Sequence, residues 1–441
     1  MKKFLRVASI FLVLSYKAVH SIENYKYMYE GPNIEETPQV TWTGYVKLDA
    51  FYDSRQVIAN REGHFLFFPR PKFFDSNGRD INAHNQYNMT AIETRLTANI
   101  TGPRVLCAQT RALIQADFWG NHEETITCFR LRHAYIDFDW EKDSLLFGQY
   151  WHPLFVLECF PETVSFNNGS PIDTYARNPQ VRYTHTFERG DITLSALAQM
   201  VGFRNTGPIG YSTTYVRNAV VPMLDFWARY FVDKHIFGVI VDFKRLVPRL
   251  FSSVGENLFK VNESINSVIV AGYMTLTFDW TRFKVKAIYA QDGTDQSLLG
   301  GYAVATRNAQ TGKQTYANIR NASVWMEISA INYELKPALF IGYTKNLGAT
   351  RNLFTDPSIG INTPIIYANA PTIDYVFRVS PRVIWDIEPV RFGIEIEYTR
   401  AAFAKLDSCP GAFNSIDCKG RIRKAIPVNN LRLLFAAYYF F

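Results

Sequence analysis

Short segments in which apolar and polar side chains alternate follow one another along the chain, and the links between them are alternately brief and long. In "PVRFGIEIEYTR", Val390, Phe392, Ile394, Ile396 and Tyr398 fall on one face; Arg391, Glu395 and Glu397 fall on the other. "TRFKVKAIYA" sets Phe283, Val285, Ala287 and Tyr289 against Arg282, Lys284 and Lys286. "NMTAIETRLTANI" sets Ile92, Leu96 and Ile100 against Glu93, Arg95 and Asn99, and "TIDYVFRVSPRVIW" repeats the pattern. A period of two residues is that of a β-strand with one apolar and one wet face.

About sixteen such segments are readable, at roughly 44–54, 87–100, 105–118, 127–139, 144–150, 180–188, 191–201, 224–233, 235–244, 267–279, 281–290, 321–333, 338–345, 372–385, 389–401 and 430–441. After every even-numbered one the link is minimal: "TGPR", "WEKD", "ERGD", "DKH", "DWT", "YELKP", "WDIEP". After the odd-numbered ones it is long, with 119–126 the one shorter case. A soluble sandwich has no reason to keep that parity. A membrane-spanning antiparallel β-barrel does, because its short turns and long loops lie on opposite sides of the bilayer. In hydrocarbon every backbone N–H and C=O needs an internal partner, so such a sheet closes on itself. The expected fold is therefore all-β, a transmembrane barrel of about sixteen strands over 44–441, with short periplasmic turns and long extracellular loops.

The two ends of the chain fit this reading. "MKKFLRVASIFLVLSYKAVHS" reads as a signal peptide over 1–21: Lys2, Lys3 and Arg6 precede a short apolar run, Val7 to Leu14, with Val19 and Ser21 before a cut. Residues 22–43 then form a short periplasmic N-terminal segment. Loss of 1–21 lowers the formal charge from +7 to +3, so the basic balance argues for no nucleic-acid partner. The chain ends "NLRLLFAAYYFF", with alternate apolar residues up to Tyr439 and Phe441, resembling the signal read by outer-membrane assembly machinery. The mean hydropathy of −0.11 and the lack of a long apolar run past the N-terminus speak against a helical membrane protein.

Trp140, Trp280 and Trp385 each stand where a strand meets a short turn, the place of an interfacial girdle. If the apolar faces meet lipid, the others line a water-filled lumen. Basic residues outnumber acids there: Arg95, Arg111, Arg130, Arg132, Arg182, Arg229, Lys284, Lys286, Arg378, Arg382 and Arg391 are among them. Rings of such charges favour anions, and the guanidinium fork suits carboxylates. The competing reading is a balanced wall in which Arg and Glu/Asp pair across strands. In "FRLRHAYIDFDW", Arg130 and Arg132 share one face with no acid between them.

The link after the fifth segment holds Leu154, Phe155, Val156, Leu157 and Phe160, which a solvated loop does not need. One reading folds it into the lumen as a constriction, with Glu162, Asp173 and Arg177 at the narrow part; the other packs it on a neighbouring subunit. Cys409 and Cys418 share one polar stretch and could close a disulfide. No GxSxG, HExxH or CxxC is present, so the sequence points to no enzyme, no cofactor and no metal.

"GYVKLDAFYD", "FRLRHAYIDFDW", "FGQYW", "PETVSF" and "RNPQVRYT", spread over 44–184, together resemble the DcaP-like porins, trimeric outer-membrane channels of Gram-negative bacteria. The resemblance implies sixteen strands, a homotrimer in the lipid bilayer, and passage of small anionic solutes such as dicarboxylates. By position it matches Arg130, Arg132, Arg177 and Arg182 to the basic residues of the narrow part. The coiled-coil extension of some members is not supported by the short, two-proline "IENYKYMYEGPNIEETPQVTW". Other readings of such a barrel are a carrier of apolar or aromatic compounds, prompted by Phe231, Trp325 and Tyr438 on the inner face, and an adhesin acting through its loops.

Overall fold

A computed structural model describes residues 38–200, 202–356, 363–405 and 415–441. The body of the fold is Val40–Phe441. The expected signal peptide lies outside the described residues.

Sixteen strands form the wall: β1 (Gln39–Asp53), β2 (Arg95–Val105), β3 (Ala108–Asp117), β4 (Arg130–Trp140), β5 (Asp143–Trp151), β6 (Arg177–Phe187), β7 (Gly190–Leu197) and β8 (Met223–Val232). Then come β9 (His235–Leu246), β10 (Ile265–Thr277), β11 (Thr281–Gln291), β12 (Gln314–Ala330), β13 (Leu335–Gly348), β14 (Ile373–Ile387), β15 (Val390–Ala404) and β16 (Ala425–Phe440). Each pairs antiparallel with its neighbours, and β16 returns to β1 in the register Tyr45↔Phe440 to Asp53↔Arg432. Gly44 and Phe441 exchange both backbone hydrogen bonds, at 3.0 and 3.2 Å. The sheet has no free edge, the condition a strand-built wall must meet in hydrocarbon.

The parity of the links holds throughout. One end of the barrel carries turns of two to four residues, and the other carries the loops. The first turn differs from the expected "TGPR", which lies inside β2 at a register shift between Thr101 and Arg104. The chain reverses instead at Leu106 and Cys107, both with positive φ (52° and 66°). That is the sign a two-residue hairpin turn needs to follow the twist of its strands. The first strand also begins earlier than expected, at Gln39 rather than 44.

Outward positions are apolar and exposed, as Leu431, Leu433 and Phe435 show on β16, while Asn430, Arg432 and Leu434 alternate with them and are buried. Two positions break the simple alternation. Strand pairing is interrupted between Gln86–Thr90 and Arg95, so Ile92, expected to face lipid, is buried in an aromatic cluster with Phe65 and Trp119. A register shift at Gln115/Ala116 leaves both Arg132 and His133 buried.

The lumen is filled by chain from the long-loop end. The segment 152–176 enters it and buries Leu154, Val156, Cys159 and Ile172 against Trp227, Ile240, Ile288, Trp325 and Phe340 of the wall. The hairpin Val57–Asn60/Phe65–Pro69 enters beside it, with Phe65 in edge contact with Phe166 and Tyr175. Each such side chain gains ~1.5–3 kcal/mol by leaving water, which explains why these segments are apolar. The expectation of one inserted loop is met and extended by this second one.

Candidate functional site

Of the eight arginines on the strands from β2 to β8, Arg104 and Arg111 are exposed and the other six are buried or half-buried. Arg95 opposes Asp117, and Asp117 opposes Arg130 on the next strand. Asp117 accepts from Nε and Nη2 of Arg130, both at 2.9 Å, and from Nη1 of Arg132, also at 2.9 Å. No acid lies between the two along their own strand; the acid that serves both comes from the adjacent strand, where spacing along one segment cannot reveal it. Arg132 also donates to Gln115 Oε1 at 3.0 Å. Arg95 lies over the Tyr45 ring and 3.8 Å from Glu93. Arg229 is bidentate to Asp191, at 2.8 and 2.6 Å, and reaches Glu158 at 3.1 Å.

Arg177 and Arg182 differ from these. Arg182 donates to Gln180 Oε1 at 2.9 Å and to the Trp151 carbonyl at 2.7 Å. Arg177 stacks on Trp151 at 4.8 Å and on Tyr175 at 5.6 Å, and its Nη1 has no hydrogen-bond partner. Among the described residues neither forms an ion pair with a carboxylate.

A second basic group holds the inserted segments. Lys286 donates to the Leu154 carbonyl (2.6 Å), to Asp173 (2.6 Å) and to Thr174 (3.1 Å). Lys284 reaches Glu162 at 2.8 Å and the Phe160 carbonyl at 3.1 Å. Arg378 donates to the Ser170 carbonyl at 2.7 Å and the Phe67 carbonyl at 2.8 Å, so one side chain holds both segments. It also pairs with Glu397 at 3.1 Å. Arg382 pairs with Glu327 at 2.9 Å, and Glu327 accepts from the Glu162 amide at 3.0 Å. These four basic side chains are buried, and the lumen they face is occupied by chain.

Glu162 and Asp173 both lie on the segment inside the barrel, where the constriction reading put them. Burial raises the Glu162 carboxyl, but Lys284, with Arg282 and Arg382, outweighs it and holds it below the ordinary range. At Asp173 burial prevails over Lys286 and pushes the carboxyl up.

Two cavities flank the constriction. Nearer the loop end, one of about 150 Å³ is lined by Arg61, Arg130 and Arg177 with Trp119, Tyr175 and Phe203, and no carboxylate lines it. Trp119 lies under both Arg61 (4.3 Å) and Arg130 (4.4 Å). Toward the short turns, one of about 500 Å³ is lined by Arg282, Lys336, Arg382 and Arg391 with Glu162 and Asp386. Arg391 hydrogen-bonds to Asp386 there, and Lys336 reaches the same carboxylate at 2.6 Å. Arg111 pairs with Asp139 at 3.2 Å near that end. Arg61 was missed by the sequence reading because it sits in a loop, where no strand period singles it out.

The aromatic positions fall at the short-turn rim. Trp140 donates Nε1 to the Leu106 carbonyl at 2.9 Å; Trp280 is 58 % exposed and lies 5.2 Å from Tyr333; Trp385 is exposed on β14. Trp42, which the sequence reading did not single out, is exposed on β1. Tyr439 and Phe441 are exposed at the closing seam. Cys418 is exposed, and Cys409 lies outside the described residues, as does any pairing of the two.

Comparison with solved structures places this architecture. The outer membrane channel DcaP of Acinetobacter baumannii superposes with a TM-score of 0.62 at 17 % identity, over 93 % of this chain and 99 % of that one. The fold is that of an outer-membrane porin barrel. OmpT, an outer membrane protein of Vibrio cholerae, matches with a TM-score of 0.53 at 9 % identity, over 93 % of this chain and 100 % of its own. An anion-selective porin from Comamonas acidovorans matches with a TM-score of 0.51 at 8 % identity, over 92 % and 100 % of the two chains. No family model matches the sequence, and no curated protein matches it either.

Proposed function

We propose that the protein is a passive diffusion channel of the bacterial outer membrane with a preference for small anions. The observation that carries this is the pairing pattern in the lumen. Most basic side chains there are neutralised by a carboxylate or hold the inserted segments, whereas Arg177 and Arg182 carry no carboxylate. The cavity that Arg177 lines has three guanidinium groups and no acid. In a narrow aqueous path, a guanidinium with no carboxylate in direct contact lowers the energy of a passing anion and raises that of a cation. Arg95, Arg130, Arg132 and Arg229 add to the local field at reduced strength, each being tied to an acid. Small carboxylates are suited to this row because the fork of Arg matches them bidentately.

The apolar outer face supports residence in a lipid bilayer, and the exposed Trp280 and Trp385, with the half-buried Trp140, support a girdle at its periplasmic surface. The closing strand, with Tyr439 and Phe441 outward, supports delivery by the outer-membrane assembly machinery after export. A homotrimer is part of the proposal; a trimer form is described for the Vibrio cholerae OmpT. Liposome swelling tests the reading. Vesicles containing the purified protein should swell faster in a small dicarboxylate than in a neutral solute of equal size, and slowest in a cationic one. Equal rates for all three overturn the preference; no swelling in any overturns the channel.

A further inference from the structure

His152, the first residue after β5, meets Asp225 of β8 and Asp242 of β9 at the root of the inserted segment. All three side chains are out of solvent, at 0 %, 3 % and 1 % exposure. Asp225 and Asp242 are direct cross-strand partners, a position in which like charges repel. His152 Nε2 lies 3.7 Å from Asp225 Oδ2 and 3.7 Å from Asp242 Oδ1. That is beyond hydrogen-bond length.

Nε2 has no hydrogen-bond partner among the described residues, and the four carboxylate oxygens meet no donor there other than a proton that the two facing carboxyls can share. Buried polar atoms without a partner are rare. The nearby cations are engaged elsewhere. Lys244 bonds to Asp295 and the Asp292 carbonyl, and Arg182 to Gln180 and the Trp151 carbonyl. The other buried His/Asp/Glu cluster, Asp49, His64 and Glu93, has its own cation in Lys47, and His64 there bonds to both Asp49 and Trp119.

A spacing too long for a hydrogen bond is the right one for ligands of a common ion. Two donors at ~2.0–2.1 Å from a tetrahedral metal lie roughly 3.4 Å from each other. The geometry points to a divalent metal site in which Nε2 of His152 and one oxygen each of Asp225 and Asp242 are the protein ligands. An imidazole with two carboxylates suits a first-row transition ion such as Zn²⁺, whereas Ca²⁺ and Mg²⁺ take oxygen alone. Three protein ligands leave one position for water.

The ion neutralises two facing carboxylates and ties the start of the constriction segment to β8 and β9. Metal on Nε2 places the imidazole proton on Nδ1, so the Leu154 amide, 3.2 Å from Nδ1, has to turn away. The site and the segment it roots are thereby coupled. His152 lies 73 residues before Asp225, and Asp225 17 before Asp242, so no short metal-binding motif announces them.

The test uses the full mature chain without an affinity tag, folded in detergent, stripped with a chelator and then dialysed against Zn²⁺ or Co²⁺. One equivalent of Zn²⁺ per chain by mass spectrometry, with a visible ligand-field band for Co²⁺, is the expected result. Asp225→Asn with Asp242→Asn should keep heat-modifiable migration on a gel and retain about a tenth of the metal or less. Should that pair fail to fold, His152→Gln should weaken Zn²⁺ at least tenfold in competition with a chromogenic chelator. Wild-type protein that retains no ion, as when the two carboxylates share a proton instead, overturns the proposal. So does equal metal in a folded variant.

Discussion

Both oxygens of Asp117 accept from Arg130 at 2.9 Å, and the same carboxylate takes a third bond from Arg132. One acid thus serves two arginines that a single strand presents side by side. The channel's net field in this region is set by what the adjacent strand supplies, and the arginines left outside such grips become the electrostatically active ones.

Asp117→Asn should therefore act on stability and selectivity in opposite directions. Removing one partner of a buried ion pair costs on the order of 3–5 kcal/mol, so the temperature at which the folded gel band is lost should fall. In the molecules that remain folded the anion preference should rise, since Arg130 and Arg132 lose their counter-charge. Heat-modifiable migration and bilayer reversal potentials measure the two effects separately.

Lys286→Met tests the pinning of the constriction. The substitution removes three bonds from the inserted segment and leaves Asp173 buried without its cation. Again the expected loss is ~3–5 kcal/mol. Single-channel records should become noisier and the mean conductance larger, because segment 152–176 is less firmly held. A quiet trace at wild-type conductance would show that apolar packing alone fixes it.

Glu162 gives a pH dependence with a definite sign. Its carboxyl is held below the ordinary value of 4.5, so its stabilising contribution is complete above that value and is lost as pH falls through the depressed one. The side chain is 37 % exposed, so added salt should shrink the effect. Comparing wild type with Glu162→Gln from pH 7 downward, the difference in thermal stability should be constant above pH 4.5 and shrink progressively below it.

The turn at Leu106 and Cys107 carries positive φ at two residues that are not glycine. Leu106→Asn with Cys107→Gly supplies the residues such a turn prefers and should stabilise the barrel by about 1 kcal/mol. Equilibrium unfolding in urea, with refolding into the same micelles, measures it. The Trp140 bond to the Leu106 carbonyl should survive, since it uses backbone.

Strand number, closure and the parity of turns were legible because each follows from local alternation, which lipid on one side and water on the other impose on every spanning segment. Segment 152–176 was legible as an intruder because Leu154 to Val156 had no business in an exposed loop. What escaped was lateral. Asp117 and Arg130 are thirteen residues apart but become neighbours through the β3–β4 register, and a shift at Gln115/Ala116 adjusts it. Ile92 escaped because a break in pairing reversed its face. The hairpin holding Phe65 and Phe68 escaped because its apolar residues run contiguously, as VIA and FLFF, and so show no period of two. His152, Asp225 and Asp242 escaped because three separate elements bring them together.

The central claim is that Arg177 and Arg182 set the preference for anions. It is tested most directly by the zero-current potential of the purified protein in a planar bilayer across a KCl gradient. Wild type should show the sign of chloride selectivity, and Arg177→Glu with Arg182→Glu should bring the potential to zero or past it while channels still open. Cation selectivity in the wild type, or an unchanged potential in the double variant, would contradict the account.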